Sequence, residues 1–280
     1  MSEKIYLKLK DHSVSGEDFQ LIENKQLDLL ETFPKPAPEK LPSYYASEDY
    51  ISHTDAKRSL FEKVYHLVRS VALKSKLRLL SGIKNNDRKL LDIGAGTGDF
   101  LSEANKKGWA TTGFEPDSAA QNIALSKGVH LVDDLDSLPN YSFDAITMWH
   151  VLEHVPDVNQ QIRQLKRLLK PNGLLVIAVP NYKSYDASLY GEFWAAYDVP
   201  RHLTHFSKTS VSKLFDVHGM KLIRYKPMWF DAFYISLLSS QYKNGKSKLI
   251  GAFISGLRSN LKTLMDRKKC SSLIYIIEKA

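Results

Sequence analysis

A single cysteine in 280 residues, Cys270, excludes an intramolecular disulfide and any zinc site built on several thiolates. No apolar run approaches the roughly 20 residues that a membrane-spanning helix needs. The opening Met1-Ser-Glu-Lys-Ile lacks the apolar core of a secretory signal, so a cytoplasmic protein is expected. Internal repeats and low-complexity tracts are missing as well. Strong charge of one sign is also lacking: 39 basic and 31 acidic residues leave +8, which permits an anionic partner and requires none. That excess is concentrated. Residues 242–269 hold eight lysines and arginines against Asp266 alone, so the remainder is nearly neutral.

What is present is an ordinary globular composition, 43% apolar and 25% charged. Residues 1–55 read as a polar, extended N-terminal element. Pro34, Pro36 and Pro38 at alternate positions forbid a helix there, and the run Tyr44-Tyr45-Ala-Ser-Glu-Asp-Tyr50 follows. Residues 56–280 are expected to form one domain. Leu60, Val64, Leu67, Val68 and Val71 recur at helical spacing before residue 80. Short apolar runs then alternate with helical patterns. Strands are expected at 89–93, 110–114, 129–132, 143–148 and 174–179, with helices at 99–107, 118–126 and 158–169. A helix at 208–217 and a strand at 220–226 follow. A helical insertion over 228–270, with a basic amphipathic helix near 248–264, precedes a last strand at 272–277. Strands alternating with helices imply parallel crossovers, hence a doubly wound α/β sheet.

Asp92-Ile-Gly94-Ala95-Gly96-Thr97-Gly98 sits where the first of these strands gives way to a helix. Glycine there lets a ligand approach the turning backbone, and the helix N-terminus offers unpaired N–H groups. A tight turn with no ligand would need the same glycines. The second strand ends in Glu115-Pro116, where a carboxylate can accept hydrogen bonds from both hydroxyls of a ribose. Dinucleotide enzymes share these features, but their third glycine falls one residue later to suit a pyrophosphate. Here the glycines alternate, and the loop has no basic residue for a phosphate.

With Glu115, the Asp133-Asp134 pair, Phe143-Asp144 and Leu169-Lys-Pro-Asn-Gly173, this loop resembles the class I S-adenosylmethionine-dependent methyltransferases over residues 89–179. The resemblance implies a Rossmann-like, seven-stranded, mainly parallel sheet whose last strand is antiparallel. It places Gly94, Ala95, Gly96 and Gly98 under the methionine part of the cofactor. Glu115 would lie on the ribose, Pro116 and Asp134 near the adenine, and Asp92 and His150 at the methionine end.

Beyond the cofactor, His150-Val-Leu-Glu153-His154 stands where base-methylating enzymes carry an Asn/Asp-Pro-Pro-aromatic motif, and its absence counts against base N-methylation. The trio could take an acceptor proton, hold a divalent metal, or brace the loop over the cofactor; no metal is expected. Trp194 and Asp198-Val-Pro-Arg201-His202-Leu-Thr-His205 resemble the acceptor-side wall of a bacterial saccharide and small-metabolite subfamily. Trp194 and Arg201 are therefore expected to bind substrate, Arg201 through an anionic group unless Asp198 claims it. His154, His150, His202 and His205 are the candidate bases. Relatives carry two cysteine pairs for zinc in the N-terminal element; this chain has none.

The expected function is methyl transfer from S-adenosylmethionine, leaving S-adenosylhomocysteine, to an oxygen of a small-molecule or saccharide-type acceptor, with an anionic acceptor among the options. The rivals are an RNA or protein methyltransferase docking through 242–269, and a non-catalytic cofactor-binding module. DNA is not an expected partner. The insertion is expected to be a lid, or a cap whose basic face is solvated, rather than a membrane contact.

Overall fold

The computed structural model describes residues 4–37, 39–45, 70–83, 88–246 and 249–280. Strands β1 (Lys4–Lys10), β2 (Asp18–Asn24) and β3 (Leu29–Phe33) form an antiparallel meander with Leu9 opposite Phe19 and Leu21 opposite Thr32. Within the extended element expected at 1–55, these residues are paired into a sheet, a pairing not anticipated from the sequence. Leu7 and Leu9, then Phe19 and Leu21, alternate as a half-buried strand requires, and the prolines begin only after β3. Most of the helical stretch expected before residue 80 lies outside the described residues; 70–78 is helical.

The main sheet takes β4 (Lys89–Ile93), β5 (Ala110–Phe114), β6 (Phe143–Trp149) and β7 (Leu169–Pro180) from the first half of the domain. A two-residue strand, β8 (Thr204–His205), leaves it to pair with β3. Then β9 (Met220–Pro227) and β10 (Ser272–Lys279) return to it. The order is β5-β4-β6-β7-β10-β9, with β10 antiparallel to both neighbours. This is the expected doubly wound sheet, except that the strand at 129–132 shrinks to a single parallel bridge, Gly113 to Leu131. Two backbone hydrogen bonds flank it, Gly113 to the His130 carbonyl and Val132 to the Gly113 carbonyl.

Both sheet faces are buried, so the central strands are continuously apolar. Leu91 and Ile177 point into one core with Leu165 and Phe215. Their neighbours Leu90 and Val176 point into the other with Leu101 and Ala124. A third core joins the N-terminal meander to the segment after β7: Leu9, Leu21 and Leu30 pack with Tyr182, Trp194, Tyr197 and Ile235. The insertion forms two helices, Asp231–Asn244 and Leu249–Met265. No helix among the described residues is long and apolar enough to cross a membrane.

Candidate active site

Ligand-binding loops of an open parallel sheet gather at the carboxyl ends of its strands, and β4, β5 and β6 deliver the expected residues there. Gly94, Gly96 and Gly98 take φ of +72°, +53° and +76°, a region that side chains resist. They do different jobs. A Cβ on Gly94 would fall 2.3 Å from Val151 Cγ2, and one on Gly98 would fall 2.9 Å from Ala124 and Val129, whereas Gly96 has nothing within 4 Å. Gly94 and Gly98 let protein pack on protein. Gly96 fronts open space.

Gly94 and Ala95 both donate their N–H to the Phe114 carbonyl, pinning the loop to the end of β5. Glu115 follows, 9% exposed. Its Oε2 accepts from the Gly96 N–H at 2.7 Å and its Oε1 from the Asp117 N–H at 3.0 Å. Each oxygen keeps a lone pair for a ligand hydroxyl. Asp117 also caps the helix Ser118–Ser126, accepting from Ala120 N–H. Pro116 and Asp134 are exposed, and Asp134 Oδ1 accepts from the Asp136 N–H at 2.8 Å.

Asp92 is buried behind the loop, where Thr147 Oγ1 donates to it at 2.5 Å. Burial pushes its carboxyl above the usual carboxylate range, against Thr147 and the nearby Lys76 ammonium. Lys76 stands 4.3 Å from the centroid of the Trp149 ring, and burial pulls its pKa down against the pull of Asp92 and Asp231. Sequence reading missed Lys76, Thr147 and Asp231. Their only signal was a lysine, a threonine and an aspartate in apolar surroundings, and their partners lie far off in the chain.

His150 directly follows β6 with φ of +58°. Its Nε2 meets Asp231 Oδ2 at 3.0 Å and its Nδ1 meets Glu153 Oε1 at 3.3 Å. Burial disfavours the imidazolium, but Asp231 and Glu153 outweigh it and hold the pKa up at about 10. An imidazolium held between two carboxylates is a poor acceptor for a further proton. His150 therefore locks the insertion to β6.

His154 is different. Its Nδ1 contacts the Arg201 carbonyl at 3.1 Å and the Tyr45 hydroxyl at 3.0 Å, leaving Nε2 uncommitted in those contacts. Burial, then the neighbouring His202, lower its pKa to about 4. The His202 Nδ1 meets the Ala196 carbonyl at 2.9 Å, and the two rings stand edge to face at 4.6 Å. Glu153, 1% exposed, lies beside them, and neither of its oxygens has a well-directed hydrogen bond. One ligand atom from each of Glu153, His154 and His202 falls within 4.8 Å of the others.

Three expected site residues are spent elsewhere. Arg201, 2% exposed, donates to Asp198, Asp11, Ser13 and the Tyr44 carbonyl, so its guanidinium ties the loop after β7 to the N-terminal segment. Trp194 is buried in the third core with its indole N–H on Asp186 at 2.9 Å. His205 sits in β8 against Thr32 Oγ1 at 3.0 Å, and burial drives its pKa well below the ordinary value. Of the three, Arg201 meets His154, through its backbone carbonyl.

The cradle suits a nucleoside with an amino-acid tail. Gly96 leaves room for one, Glu115 lies under the loop with lone pairs that ribose hydroxyls could use, and the Asp92 carboxyl and the Lys76 amine stand behind the loop. No phosphate clamp is present in the loop: Lys127, the lysine bonded to it, gives its ammonium to the Thr97 carbonyl and Asp99.

Residues 65–225, more than half of the chain, match the model of a methyltransferase domain family. The chain belongs to this methyltransferase family. A ubiquinone biosynthesis O-methyltransferase of Rhodopseudomonas palustris is 30% identical over 163 residues, 52% of this chain and 61% of that protein. The chain thus spans less than two thirds of that relative's length. Among solved structures, a SAM-dependent methyltransferase from Archaeoglobus fulgidus is similar with a TM-score of 0.50 and 20% identity, covering 74% of this chain and 93% of that one. A geranyl diphosphate C-methyltransferase from Streptomyces coelicolor, in complex with S-adenosyl-L-homocysteine, gives 0.57 at 14% identity, covering 81% and 88%. The fold is therefore that of S-adenosylmethionine-dependent methyltransferases.

Proposed function

We propose that this methyltransferase moves the methyl group of S-adenosylmethionine to a hydroxyl oxygen of a small molecule, with His154 as the proton acceptor. The observation that carries the reading is the neutral His154 beside a buried Glu153, a short turn away from the cofactor loop. Similarity to a ubiquinone biosynthesis O-methyltransferase supports an oxygen acceptor. Gly96 and Glu115 would hold the nucleoside, with Asp92 and Lys76 at its amino-acid end. When bound, the cofactor supplies a methyl group already activated by its sulfonium leaving group.

The chain's own residues then align the acceptor and exclude water. The acceptor proton passes to His154 Nε2. Glu153, held as a carboxylate, stabilises the imidazolium so formed, while the Arg201 carbonyl and Tyr45 fix the ring. Residues 56–280 form the catalytic domain in this reading, and 228–270 close it as a lid through Asp231. The test is production of S-adenosylhomocysteine from S-adenosylmethionine with a panel of small phenols, hydroxy acids and saccharides. No product with any hydroxyl compound, but turnover with amines, would sink it.

A second reading has its own observation. Two imidazoles, each with Nδ1 against a backbone carbonyl, converge with the buried Glu153 carboxylate, whose Oε1 also faces His150 Nδ1 at 3.3 Å; ligands to a divalent cation are commonly oriented in this way. Here the cation, not His154, would lower the acceptor pKa. Turnover that chelators abolish and zinc or manganese restores favours it; turnover indifferent to chelators favours the base.

A further inference from the structure

The helix Leu249–Met265 is amphipathic, yet it is mounted the opposite way round from a helix that covers a core. Ala252, Gly256, Ser259 and Thr263, all small, are its buried residues. They let it lie close on the helix Asp231–Asn244: a Cβ on Gly256 would fall 2.7 Å from the Phe233 ring. Ser259 Oγ donates to Asp186. The large apolar side chains face outward instead. Ile250 is 80% exposed, Leu264 70% and Met265 83%, and Leu249, Leu257 and Leu261 are exposed with them. At about 100° per residue these positions fall within one arc of roughly 160° along a helix about 25 Å long. Arg258 and Lys262 are exposed, as a solvated basic face requires, but the large apolar side chains are exposed beside them.

Such a contiguous apolar stripe on a protein surface marks an interaction site. Its surroundings select the partner. Arg258 and Lys262 follow the stripe on one edge, Lys243 and Lys246 stand before it, and Arg267, Lys268 and Lys269 after it, all exposed. Across 242–269 only Asp266 opposes them. A second copy docked through the same face on a two-fold axis would set this cationic girdle against itself. An RNA would meet leucine and isoleucine where it needs cations and hydrogen-bond donors. An anionic bilayer satisfies both halves: acyl chains take the apolar arc while phosphate headgroups meet the basic rim. Trp229 and Phe230, partly exposed, lead directly to Asp231, which grips His150. The stripe thus belongs to the element that reaches the active site.

We propose that the methyltransferase docks on anionic membrane surfaces through the outward face of the helix Leu249–Met265, lying in the interface without crossing it. This does not depend on which acceptor is methylated. The test is co-sedimentation of the full chain with phosphatidylcholine vesicles containing phosphatidylglycerol, beside the double substitution Ile250→Glu with Leu264→Glu. Both side chains are mostly in solvent, so the variant keeps the wild-type melting temperature. Wild type is expected to bind at least about tenfold more tightly than the variant, and tenfold more tightly than to phosphatidylcholine alone, with the difference shrinking in high salt. Overturning results are no sedimentation of folded wild type with the anionic vesicles, equal binding by the variant, or a wild-type dimer that the double substitution dissociates while no vesicle binding occurs.

Discussion

His150 Nε2 and Asp231 Oδ2 stand 3.0 Å apart, joining the end of β6 to the first turn of the helical insertion across 81 positions of sequence. The pair fixes where the insertion sits relative to the cofactor loop. It also makes that placement sensitive to pH. The His150 pKa in the folded chain is raised, from 6.5 to about 10. A raised folded pKa stabilises fully below the unfolded value and is lost as pH rises through the folded one. Thermal stability is therefore expected to decline between pH 7 and pH 10, and Asp231→Asn to lower the neutral melting temperature and flatten that decline. Melting curves across the range decide it; an unchanged slope in the variant contradicts it.

His154 carries the opposite sign. Its folded pKa is depressed to about 4, so the unfolded chain takes up the proton first, and its share of stability is lost as pH falls from about 6.5 towards 4. In turnover, a base of this kind gives an acid limb near pH 4 rather than near 6.5. His154→Ala is expected to cut kcat by about 10²-fold or more, the usual range for general-base removal. Affinity for S-adenosylhomocysteine should be unchanged, because His154 is not among the cradle residues. Equal losses in both would place His154 in the cofactor site instead.

Arg201 is expected to matter for folding and not for acceptor affinity. Replacing it by leucine leaves Asp11 and Asp198 without their buried counter-charge, at a cost of about 3–5 kcal/mol. Denaturant titration should show that loss, while KM per folded molecule stays put. A variant of normal stability with a raised KM would return Arg201 to the acceptor site.

The core domain was legible because each strand and helix between 89 and 179 carries its own short-range periodicity, and the strand-to-helix glycine turn announces itself locally. The helix at 208–217 likewise begins on a local device, a capping box between Ser207 and Ser210. What depended on distant partners was not legible. Arg201 has the same sequence whether it faces a substrate anion or Asp11, and the Asp11 contact exists only once the N-terminal meander has packed. His202 joins His154 only through the loop after β7. The basic helix at 249–265 shows amphipathicity in its sequence, but the period alone does not say which face turns inward. Small residues opposite large ones decide that, because only glycine, alanine and serine let two helices lie this close.

Glu115→Gln separates the two uses of that side chain. The amide can still accept from the Gly96 N–H, yet it loses the charge that a ribose diol binds. Cofactor affinity is expected to fall about 10–100-fold, in line with roughly 1.5–3 kcal/mol for hydrogen bonds to a charged group. Gly94→Ala, by contrast, should damage folding itself, because its new methyl would meet Val151.

Titration calorimetry of the folded chain with S-adenosylhomocysteine, and separately with a nicotinamide dinucleotide, tests the cradle most directly. One saturable site for S-adenosylhomocysteine, weakened in Glu115→Gln, and no heat from the dinucleotide are expected. Silence with S-adenosylhomocysteine, or a dinucleotide bound in its place, would contradict the assignment of the glycine loop and Glu115 to a sulfonium nucleoside.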